Sequence, residues 1–125
     1  MSVLVDSSVW IDFFRYGKNE QLNILLSEDI VVTNQIILSE LLPSLQTKRK
    51  HEIIESLENL QIIYLQIDWE LIRKYQVLNL KNGINKVGLP DLIILQQVIE
   101  SNLTLYSLDK HFKLMRGYLS FNLLD

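Results

Sequence analysis

Cysteine and alanine are missing from the 125 residues, proline and histidine occur twice each, and glycine four times. Without cysteine there is no disulfide framework, no thiolate metal site and no thiol nucleophile. His51 and His111 stand far apart in sequence, which argues against a histidine-rich zinc site. The missing alanine excludes nothing. Scarce proline and glycine, beside 48% hydrophobic residues, exclude a disordered or low-complexity chain. Long apolar runs are also absent, so no membrane-spanning segment is expected. The opening Met-Ser-Val-Leu-Val-Asp carries no basic stretch or cleavage pattern. No signal peptide is expected there, and the expected location is the cytoplasm. The length suits one domain over residues 1–125.

A strong excess of one charge is lacking too. Twelve Lys and Arg face 15 Asp and Glu, for a net charge of −3. A broad basic face for nucleic acid does not fit that balance. Yet setting four acids aside for one metal pocket would leave the remainder slightly basic, so local clustering decides the matter.

Apolar runs and caps alternate along the chain. Val3–Val5 reads as a strand buried on both faces, ending at Asp6. Ser7 and Ser8 offer caps for a helix with Val9, Trp10, Ile11, Phe13 and Phe14, which Gly17 stops. A short helix over 19–27 and a strand at Ile30–Val32 follow. Thr33 or Asn34 caps a helix through Leu45 that Pro43 should kink or end near Leu42. Residues 48–59 restart a helix, and Ile62–Leu65 reads as a third strand. Asp68 caps a helix that Asn82-Gly83 ends, and 82–90 reads as a loop. Pro90 opens a buried helix from Asp91 to about Asn102. Leu103–Tyr106 is a fourth strand, Asp109 caps a helix to Gly117, and Leu119–Leu123 is a last short strand. Strictly alternating elements imply right-handed crossovers and one parallel sheet covered by helices on both faces, an α/β chain.

In such sheets ligands bind beyond the carboxyl ends of the strands. Asp6 follows the first strand, Asp109 lies just after the fourth, and Asp91 opens the helix leading into it. Glu40 sits two turns into the helix after the second strand, in apolar company. Acids converging on one edge repel, and a bound cation or protons must compensate. Oxygen donors suit Mg²⁺ or Mn²⁺. Each acid also has a plainer reading. Asp6 can start a turn, Asp91 and Asp109 can be caps, and Glu40 can be a surface residue. Asp12, Asp29 and Asp68 read as ordinary helix or turn residues. Around the acids, Arg15, Lys86, Lys110, Lys113 and Arg116 could form a basic rim for phosphates, or be solvated charges. Lys48-Arg49-Lys50 reads as an exposed loop, and Trp10, Phe13 and Phe14 as core.

Val-Asp-Ser-Ser-Val-Trp-Ile-Asp, Ser-Glu-Leu-Leu, Gly-Leu-Pro-Asp-Leu-Ile-Ile and Ser-Leu-Asp-Lys-His-Phe, in that order, resemble the PIN-domain family. More narrowly they resemble the VapC-type toxin ribonuclease of a VapBC toxin–antitoxin pair. The resemblance covers essentially the whole chain. It implies a three-layer α/β/α fold whose five-stranded parallel sheet has the order 3-2-1-4-5. It implies Mg²⁺- or Mn²⁺-dependent RNA cleavage, with 5′-phosphate and 3′-hydroxyl products. The matching acids are Asp6, Glu40, Asp91 and Asp109, with Ser8 as a site-ordering hydroxyl. The chain departs from the family where Leu95, Gln96 and Gln97 replace small residues, and where Pro43 closely follows Glu40.

Leu22, Leu25, Leu26, Leu41, Leu42, Leu45, Ile53, Ile54 and Leu57 offer more apolar surface than one sheet can cover. A groove near the first helices for an apolar segment of a cognate antitoxin is expected, as is a homodimer. The competing readings are a receiver-like phosphoacceptor domain, a metal-dependent adhesion domain and an inactive PIN-like binding module. The first expects paired acids near the first strand, where only Asp6 stands. The second expects a hydroxyl at the position of Trp10.

Overall fold

The computed structural model describes residues 1–124. Its strands are β1 (Val3–Val5), β2 (Val31–Thr33), β3 (Gln61–Ile62), β4 (Thr104–Tyr106) and β5 (Asn122–Leu123). The helices are α1 (Ser7–Tyr16), α2 (Glu20–Ser27), α3 (Gln35–Thr47), α4 (His51–Glu58), α5 (Trp69–Lys81), α6 (Leu89–Glu100) and α7 (Lys110–Met115). All strand pairs are parallel, and the order across the sheet is β3-β2-β1-β4-β5. This is the order the resemblance implies.

β1 lies at the centre because it is apolar on both faces: Val3, Leu4 and Val5 have no exposed surface. The register pairs Leu4 with Val32 on one side and Leu105 on the other. The carboxyl ends of β1 and β4 therefore lie side by side. α6 is buried from Leu92 to Val98, as its unbroken apolar run suggests. Its buried Gln97 is used for structure. Asn34 donates to it at 2.6 Å, and its own amide donates to the Ile63 carbonyl at 2.9 Å. The buried Gln96 likewise bonds the Gln66 carbonyl.

Several boundaries differ from the sequence reading. α3 runs through Pro43 to Thr47. The proline leaves the Ser39 carbonyl without its helical donor, but both residues are exposed and water can replace it. Buried Leu38 and Leu41 before it, and Leu45 after it, hold both halves against the core. α4 begins at His51 because Arg49 turns the chain at φ 56°. The edge strand β3 stops at Ile62, and Tyr64 beyond it is 76% exposed. β5 keeps two residues, and α7 ends at Met115. α6 begins two residues before Asp91, with Gly88 at its cap position. Asn34 and Asp68 cap their helices as expected, and Gly17 ends α1 at φ 74°. Among the described residues no helix is long and apolar enough to cross a membrane.

Candidate active site

Asp6 leaves β1 and caps α1, the role the sequence assigned to Ser7 or Ser8. It is 4% exposed. One carboxylate oxygen accepts from the Ser7 amide at 2.9 Å. The other accepts from the Ser8 hydroxyl at 2.8 Å and the Ser107 hydroxyl at 2.7 Å. Three donors thus fix both the position and the direction of this acid. Ser8 Oγ in turn accepts from the Leu108 amide, and Ser107 Oγ from the Asp109 amide, each at 3.0 Å. The loop after β4 is therefore tied to the loop after β1.

Glu40 stands on α3 with its side chain exposed, but its carboxylate accepts from Ser7 Oγ at 3.3 Å. Partial burial of the carboxyl raises its pKa first, and the charge of Asp6 second. Asp91 is the third residue of α6 and is half-buried. Its carboxyl is pushed up to about 7, first by burial, then by the charges of Asp109, Asp6 and Glu40. One group that senses three other acids lies where all four converge. Asp109 caps α7 by accepting from the His111 amide at 2.9 Å. His111 Nδ1 lies 3.2 Å from the same Asp109 oxygen. Single donor atoms of Asp91, Asp109 and His111 all lie within 4.8 Å of one another, the one such group among the described residues.

All four predicted acids thus come to one edge of the sheet. Ser7, Ser107 and His111 were missed. Ser107 carries a local signal, a hydroxyl two residues before an acid at a strand end. Ser7 and His111 carry none. The predicted basic rim is uneven. Arg15 borders a cleft with Glu40, and so does Lys48, which the sequence placed in a plain exposed loop. Lys86, Lys110 and Lys113 are exposed, Lys86 at φ 67° in the loop before α6. Arg116 donates to the Leu123 carbonyl at 3.3 Å, so part of its guanidinium serves β5. Asp68 caps α5, Asp29 lies in a left-handed turn and Asp12 is a residue of α1, as the sequence suggested.

A second feature faces away from core duty. Trp10, Phe13 and Phe14 of α1, Leu26 of α2, and Ile53 and Leu57 of α4 line a groove of about 330 Å³. Trp10 is buried as expected, whereas Phe13 and Phe14 are only half-buried. Among the nine leucines and isoleucines singled out in the first helices, Leu22, Leu25, Leu41, Leu45 and Leu57 lie in the core, Leu57 also bordering the groove, while Leu26, Leu42, Ile53 and Ile54 are half-buried and Leu26 and Ile53 line the groove.

The competing readings meet specific observations. Receiver-type domains share the flavodoxin-like order 2-1-3-4-5, which this sheet does not have. The adhesion reading needs a hydroxyl where Trp10 is buried.

A search of curated proteins finds no match. Solved structures resemble the chain in fold. VapBC-1 from nontypeable Haemophilus influenzae is 17% identical, with a TM-score of 0.77, covering 100% of this chain and 98% of that one. VapBC2 from Rickettsia felis, bound to a DNA fragment from its promoter, is 20% identical with a TM-score of 0.74, covering 100% of both chains. DNA-bound VapBC from Salmonella typhimurium is 15% identical with a TM-score of 0.77, covering 100% and 98%. The family model of the PIN domain matches residues 3–118. With nearly its whole length matched and its four acids gathered at the carboxyl edge of a 3-2-1-4-5 sheet, the chain belongs to the PIN-domain family.

Proposed function

We propose that the protein is a cytoplasmic, Mg²⁺- or Mn²⁺-dependent endoribonuclease of the VapC toxin type, held inactive by a cognate antitoxin. The observation that carries this reading is the gathering of Asp6, Glu40, Asp91 and Asp109 beyond the carboxyl ends of β1 and β4, where burial and the three other acids push the Asp91 carboxyl up. Acids held together this way call for a compensating cation. The donor set fits one: carboxylates from β1, α3, α6 and the start of α7 suit a hard divalent ion that keeps several waters. Such an ion supplies charge neutralisation at a phosphodiester and lowers the pKa of water.

The chain's own residues divide the remaining work. Asp6 and Asp91 would hold the ion directly. Asp6 is pre-aimed by Ser7, Ser8 and Ser107, so little ordering is needed on binding. Glu40, oriented by Ser7 Oγ, and Asp109, oriented by the His111 amide, would bind through water, complete a second metal site or orient the attacking water. Arg15, Lys86, Lys110, Lys113 and Arg116 attract the RNA backbone around this acidic centre.

The antitoxin reading rests on the α1–α2–α4 groove and on the likeness to structures named VapBC. An apolar helix with anchors at i, i+3 or i+4 and i+7 suits a groove lined by Phe13, Phe14 and Ile53. Trp10 Nε1 is buried without a hydrogen-bond partner. A homodimer through α5 belongs to the same reading, since Val77 and Leu80 are exposed there.

The test is incubation of purified protein with defined RNAs, with and without Mg²⁺ or Mn²⁺. Metal-dependent internal cuts leaving 5′-phosphate and 3′-hydroxyl ends are expected. Intact RNA under every metal condition, from protein freed of its inhibitor, would overturn the reading.

A further inference from the structure

We propose that His111 is itself a metal ligand, completing a three-donor site with Asp91 and Asp109, and that the site therefore prefers Mn²⁺ and later first-row ions to Mg²⁺. The inference rests on the metal-site reading above and adds an imidazole to it.

The geometry comes from the start of α7. Asp109 accepts from the His111 amide at 2.9 Å, which folds residue 111 back over the carboxylate that caps the helix. The ring then places Nδ1 3.2 Å from Asp109 Oδ1. Two adjacent donors on one octahedral ion, with bonds of about 2.1 Å, stand about 3 Å apart. The observed separation matches two ligands of a common ion. Asp91 offers an oxygen to the same group, with all three donors inside 4.8 Å. Only 23% of the His111 side chain and 31% of the Asp109 side chain are exposed, so packing limits both.

The donor types set the preference. Mg²⁺ favours oxygen and surrenders its waters reluctantly, and it gains little from a ring nitrogen. Imidazole binds first-row transition ions better, increasingly from Mn²⁺ toward Cu²⁺. A merely supporting histidine would hydrogen-bond Asp109 without touching the ion. The two roles differ in a direct observable.

The experiment uses the full chain without a histidine tag, with MnCl₂ as the probe. Pulsed electron paramagnetic resonance reads nitrogen coupled to bound Mn²⁺. Only two histidines exist, and His51 lies at the start of α4, so the source of a signal can be assigned. The expected result is an imidazole nitrogen signal that persists in His51→Gln and vanishes in His111→Gln. Mn²⁺ affinity should fall by about 10–100-fold or more in His111→Gln, with Mg²⁺ affinity nearly unchanged. Mn²⁺ bound through oxygen alone, and weakened by Asp91→Asn, would overturn the role of His111 and leave the acid site standing. Absence of Mn²⁺ binding to the wild-type protein would overturn both.

Discussion

Ser107 Oγ donates to Asp6 Oδ2 at 2.7 Å, joining two residues 101 positions apart in sequence. The bond spans the carboxyl ends of β1 and β4, neighbours in the sheet. The same hydroxyl accepts from the Asp109 amide. One small side chain thus fixes the direction of the first acid and the start of the helix that carries the last.

Ser107 is a positioning residue in this account. Ser107→Ala should weaken metal binding and RNA cleavage by about 10–100-fold, and Ser107→Thr should restore much of both. Calorimetric titration with Mn²⁺ beside a cleavage assay checks this. Loss of stability alone, with unchanged metal affinity, would assign Ser107 to the fold.

Asp91 sets a pH dependence whose sign is fixed. Its folded pKa of about 7 lies above the unfolded value of about 3.9. The folded protein then binds more protons than the unfolded chain between about pH 4 and 7. Without metal, this group's contribution is fully present below about pH 4 and is lost as pH rises through 7. Allowing for solvent screening of a half-buried group, the loss is about 2 kcal/mol. Thermal unfolding in chelator should show that slope, and Asp91→Asn should flatten it and be the more stable at pH 8. An unchanged slope in the variant would contradict the assignment.

The groove between α1 and α4 should separate inhibition from catalysis. Ile53→Asp places a charge among Phe13, Phe14 and Leu60. Antitoxin affinity should fall by about 2 kcal/mol or more, while RNA cleavage by the free protein is retained. Binding isotherms and cleavage rates on the same preparation test this. Undiminished inhibition would move the antitoxin elsewhere.

Gln97 should matter to folding and not to chemistry directly. Gln97→Leu strands the Asn34 amide and the Ile63 carbonyl, at a cost of roughly 1–3 kcal/mol. Urea unfolding checks this. A neutral substitution would mean that water replaces the lost bonds.

The sheet and the acids were legible because they depend on local chemistry. Val3–Val5 can only be buried on both faces, and Asp6, Asp91 and Asp109 follow from strand ends and helix starts. Glu40 was legible as a carboxylate in apolar company. What the sequence hid depends on tertiary placement. Ser107 reaches Asp6 only because β4 pairs with β1. His111 looks like any helix residue until Asp109 is seen to cap α7. Pro43 misled because its local penalty is real, yet Leu38, Leu41 and Leu45 anchor α3 on both sides of it. Phe13 and Phe14 resemble core residues in composition, and only the position of α4 leaves them lining a groove.

The central claim is that the four converging carboxylates form the divalent-ion site on which RNA cleavage by this chain would depend. The most direct measurement is single-turnover cleavage of a labelled RNA by wild-type and Asp91→Asn protein, across Mg²⁺ and Mn²⁺ concentrations. The account predicts cleavage by the wild type only with metal, and a loss beyond about 100-fold in the folded variant, more than an outer ligand-supporting group would cause. Equal rates in the two proteins, or cleavage that persists in chelator, would contradict it.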